Sequence, residues 1–165
     1  MTRLSGETAL GLAWIIALTA LPVIILGGLD MTNSIIAGNT STSESPDCSG
    51  PIVSSGYNLI GNNADCNYTA GTGDIVGDVN GGGAAVNPIL GTLAANGGEI
   101  SIGDDLVPML TDAPQPGSPA IDSGDPLAPG SVGTCSSIDQ LGFGRAIDGD
   151  GDGVEICDIG AVEFR

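Results

Sequence analysis

The chain has no lysine and no histidine, and its only arginines are Arg3, Arg145 and Arg165. Without histidine there is no Ser–His–Asp triad and no histidine-ligated zinc. Three basic residues against 20 acidic ones leave a formal net charge of -17. Such a surface repels phosphate backbones, which excludes a nucleic-acid binder. Aromatic residues make up only 3%, so a core must be built from Ile, Val, Leu and Ala. None of the four cysteines lies in a CxxC pair, which removes the commonest zinc spacing.

Glycine is abundant instead, with 28 residues in 165. Many turns and short β-branched runs favour many short strands over a helical bundle. Hydrophobic residues reach 41% and come in short runs, so the acidity does not signal disorder. The length suits one domain with a real core. An even number of cysteines in an acidic, glycine-rich chain reads as two disulfides and an oxidising compartment. Cys48–Cys66 and Cys135–Cys157 each bracket one local segment and are the favoured pairs among the three that four cysteines allow.

Residues 1–29 read as a signal peptide or transmembrane anchor. The stretch from Thr8 to Leu29 carries no charge and follows Arg3. As a helix it would span ~33 Å, enough to cross a bilayer core, with the acidic remainder outside. The chain would then meet the membrane through this segment unless it is cleaved.

Two stretches further on look alike. NSIIAGN, from Asn33, and YNLIGNN, from Tyr57, each place two aliphatics before a small residue or glycine and an asparagine, with Ile36 and Ile60 24 residues apart. That spacing is about one coil of a parallel β-solenoid, with aliphatics stacked inward and asparagines at corners. DIVGD, from Asp74, is a further strand candidate at a different spacing. DAPQPGSPAIDSGDPLAPG, from Asp112, has too much proline for a helix or central strand. It reads as an ordered wrap across the end of the stack, with Ala120 and Ile121 turned inward.

NSIIAGN, PDCSG, GYNLIGN, GTGD, NPILGTLAANGG, GSPAIDSGD, IDQLGFGR and DGDGDGVEICDIGAVEF occur in that order between Asn33 and Phe164. Together they resemble the C-terminal region of bacterial surface proteins with right-handed parallel β-helix repeats, the choice-of-anchor Q type, similar to polymorphic outer-membrane-type proteins. The resemblance implies an all-β fold: terminal coils of a right-handed, pectin-lyase-like parallel β-helix over residues 30–111, then a loop-rich cap over 112–165, preceded by one apolar helix. It also implies display at the cell surface or secretion, and upstream coils belonging to a longer protein.

The acidic loop DGDGDGVEICD carries the metal expectation. Asp148, Asp150 and Asp152 fall at the first, third and fifth positions of an EF-hand-like calcium loop, Gly153 at the sixth and the Val154 carbonyl at the seventh. The closing glutamate is absent: Ile159 stands in its place, with Asp158 one residue earlier and Glu155 the other acid in reach. Calcium through Asp148, Asp150, Asp152, Val154 and Asp158 is the expectation, against an acidic turn without metal.

Catalysis finds little support. Apart from Arg3 and Arg165, Arg145 is the only candidate lyase base. Asp104 with Asp105, and Asp122 with Asp125, are the nearest approaches to a hydrolase carboxylate pair, and both lie in turn-rich sequence. The expectation is a non-catalytic, adhesin-like or structural module, with a polysaccharide or cell-surface ligand as partner. The alternative is a fragment of a polysaccharide-active β-helix lyase or hydrolase.

Overall fold

The computed structural model describes residues 28–42 and 46–165. The apolar segment and its expected helix lie outside the described residues, except that Leu29 opens a strand. Every element among the described residues is β, and none is a helix able to cross a membrane.

Six short strands form two parallel sheets. One holds β1 (Leu29–Met31), β3 (Gly50–Ser54) and β5 (Cys66–Tyr68); the other holds β2 (Ile35–Ile36), β4 (Leu59–Ile60) and β6 (Ile75–Val76). Ile36 pairs with Ile60 and Ile60 with Val76, so the two aliphatic repeats do lie side by side. The DIVGD stretch is the third member, set only 16 residues beyond β4 instead of 24. The chain makes a shorter excursion between β4 and β5, and this hides the third strand from a search at constant period.

Paired aliphatics have a physical reason here. Neighbouring strand residues face opposite sides of a sheet. Ile36, Ile60 and Val76 pack inward with Met31, Ile52 and Tyr68, beside Cys48 and Cys66. Ile35, Leu59 and Ile75 face the other way, against Ala120 and Ile159. The β2–β4–β6 sheet is therefore covered on both faces, as parallel sheets require. Leu59 and Ile60 are fully buried, each contributing roughly 1.5–3 kcal/mol. The glycine after β6 is a close-approach position: a Cβ on Gly77 would lie 2.0 Å from the Gly61 carbonyl oxygen.

Residues 94–111, assigned from sequence to the coils, form an antiparallel hairpin instead. β7 (Ala94–Ile102) pairs with β8 (Asp105–Thr111), with a register shift between Ala95 and Glu99. The two-residue Gly103–Asp104 connection, with Gly103 at φ 65°, suits a tight hairpin turn. The proline-rich wrap then crosses the outer face of β2–β4–β6, not an end of the stack. Ala120 is buried against Leu59, and its carbonyl accepts the Ile159 N–H at 2.9 Å. Both disulfides have the bracketed connectivity, Cys48–Cys66 and Cys135–Cys157.

Candidate functional site

The acidic loop is closed at its base by a bridge between Ile147 and Ile156. Within it Asp148 accepts two backbone hydrogen bonds, from Gly151 N–H at 2.7 Å and Gly153 N–H at 3.0 Å. Asp150 Oδ1 accepts from Asp152 N–H, and Asp152 Oδ1 from Val154 N–H. Short acidic side chains holding amides two to five residues ahead give the loop its turns.

The carboxylates that converge are not the five the spacing suggests. Asp148 and Asp150 meet Asp122, a residue of the wrap, with one oxygen from each within 4.8 Å of the others. Asp122 Oδ2 accepts the Asp150 N–H at 2.7 Å, while its Oδ1 is buried and has no hydrogen-bond partner. Burial raises the Asp122 carboxyl above its ordinary range, and the charges of Asp150 and Asp148 push the same way, against hydrogen bonds that lower it. Asp152 and Glu155 are exposed, and Val154 is exposed beside them.

Asp158 does another job. It is 1% exposed, and both its oxygens are taken, Oδ1 by Asp122 N–H at 2.9 Å and Oδ2 by Phe164 N–H at 2.6 Å. Its carbonyl accepts from Asn33 Nδ2 and Arg145 Nη2. Burial raises its carboxyl above the ordinary value.

Beside it lies a buried ion pair: Arg145 Nε to Glu163 Oε1 at 2.5 Å, with both residues at most 5% exposed. Glu163 also accepts the Asp158 N–H. Burial drives the Glu163 carboxyl up to about 7, against the downward pull of Arg145. Arg145 further donates to the Gly160 carbonyl, and Gly160 at φ 111° brings its backbone onto Ile35. Arg145, weighed from sequence as a catalytic base, is thus a structural cation. Glu163 escaped notice, although a lone acid inside the apolar stretch IGAVEF was a visible signal.

The proposed hydrolase pairs are not assembled. Asp104 sits in the hairpin turn, and Asp125 is buried, accepting the Leu127 N–H. The larger groove, bounded by Ile35, Leu90, Leu110 and Val162, contains a single acid, Asp112. A second groove, beside Asn62 and Pro88, contains only Asp47. No family model, curated protein or solved structure matches this chain.

Proposed function

We propose that this chain is a non-catalytic, exported structural module: the terminal coils and cap of a right-handed parallel β-helix carried at the cell surface. The observation that carries the reading is the pair of parallel sheets whose outer face is sealed by residues 118–124 and 157–162. Those segments are held by a disulfide and a buried ion pair, the arrangement of a cap rather than of a site. Two disulfides suit an oxidising compartment outside the cytosol. β1 and β2 lie at the same end of their sheets, each with one partner among the described residues. That end can accept further parallel strands, which supports a place at the end of a longer stack.

The rival reading, a polysaccharide lyase or hydrolase, finds no carboxylate pair in either groove, and Arg145 is committed to Glu163. The test is incubation of the oxidised protein with acidic and neutral polysaccharides, with and without calcium. The expected outcome is no unsaturated product and no new reducing ends over a buffer blank. Turnover that disappears in an Asp112→Asn variant would establish the enzyme reading instead.

A further inference from the structure

We propose that Asp122, Asp148 and Asp150 form a calcium site that staples the wrap to the acidic loop. The three carboxylates come from segments 26 residues apart in sequence, yet one oxygen from each falls within 4.8 Å of the other two. Like charges so close repel unless a cation lies among them. A second observation points to that cation. Asp122 Oδ1 is buried without any hydrogen-bond donor, while Oδ2 of the same carboxylate is satisfied by Asp150 N–H. A buried carboxylate oxygen with no donor is costly to leave unpaired.

The chain supplies no cation of its own there. Among the described residues, Arg145 is paired with Glu163, and Arg165 reaches Asp139 and the Phe143 ring. An all-oxygen donor set with no histidine or free thiol suits a hard ion, and calcium accepts irregular shells of about 6–8 oxygens. Water and backbone carbonyls complete the shell. This differs from the EF-hand-like reading of the loop: Asp122 enters, and Asp152, Val154 and Asp158 leave. The site stands independently of the non-catalytic reading.

The test is calorimetric titration of calcium into the chelator-stripped, oxidised full chain, with thermal melts in parallel. The wild type should give a saturable heat and a higher melting temperature with calcium, as any ligand of the folded state does. Asp122→Asn should weaken binding at least tenfold, whereas Asp152→Asn should leave it within about twofold. Circular dichroism checks that each variant is folded, and Asp148→Asn, which must show the same tenfold loss, replaces Asp122→Asn if the latter does not fold. Absence of heat and of stabilisation at millimolar calcium in the wild type overturns the proposal. So does loss of binding in Asp152→Asn with retention in Asp122→Asn.

Discussion

Asp74 stands one rung beyond Asn58 in the stack, and its Oδ1 accepts the Asn58 backbone N–H at 2.7 Å. One rung earlier, Asn58 Oδ1 accepts the Ser34 N–H at 3.0 Å. A polar column, Ser34–Asn58–Asp74, thus runs beside the aliphatic columns and passes each N–H to the side chain of the next rung. Asp74 ends it as a hub: its other oxygen accepts from Ser54 Oγ, Tyr68 Oη and Gly71 N–H. Burial works to raise the Asp74 carboxyl, but these hydrogen bonds together outweigh it and hold it below its ordinary value. The Tyr68 hydroxyl, buried and bonded to that carboxylate, is pushed up to about 12.

Asp74→Ala removes a charged acceptor from four donors at once. The expected loss is about 3 kcal/mol, since hydrogen bonds to charged groups contribute more than neutral ones and the freed amides stay partly buried. Chemical denaturation of the oxidised protein measures it. A loss below about 1 kcal/mol would remove Asp74 from its place as a hub.

The Arg145–Glu163 pair should behave as a buried ion pair. Arg145→Met alone leaves Glu163 buried without its cation and should cost about 3–5 kcal/mol. The double variant Arg145→Met, Glu163→Leu should recover a large part of that loss, because neither charge is then stranded. A double-mutant cycle by denaturation checks this, and additive losses would contradict the pairing.

Glu163 also sets a pH dependence. Its carboxyl rises from an ordinary 4.5 to about 7 in the folded chain. Between those values the folded state holds the proton that the unfolded state has released, so stability falls as pH rises. The contribution is fully present below about 4.5 and lost once pH passes about 7. Asp158, in the same network, shifts in the same direction. Melting curves should therefore be flatter between pH 5 and pH 8 for Glu163→Gln than for the wild type, and parallel curves would remove Glu163 as the cause.

Each disulfide closes a loop of about 20 residues, 18 and 22 in sequence separation, worth about 3 kcal/mol on chain-entropy grounds. Non-reducing peptide mapping should recover Cys48 with Cys66 and Cys135 with Cys157. Cys48→Ser, Cys66→Ser should lower stability by about that amount in a denaturant titration, and an unchanged midpoint would contradict the estimate.

Much of this was written locally in the sequence. Adjacent aliphatics in NSIIAGN and YNLIGNN specified strands buried on both faces, because a strand with one wet face needs a polar residue at every second position. Their 24-residue offset set the first pairing, and even, locally bracketing cysteines set the disulfides. The third rung was less legible, since backbone pairing demands a matching strand, not a constant length of chain between strands. Only the tertiary structure decided the rest. It drew Asp122 to Asp148 and Asp150 and turned Asp158 inward as a hydrogen-bond anchor. It also buried Arg145 on Glu163, and Gly103 turned residues 94–111 back as a hairpin. Sequence spacing orders groups along one loop. Whether carboxylates face a common point, solvent or a buried amide depends on which distant segment packs against that loop, and that is settled by burial of the Leu59 and Ile159 surface.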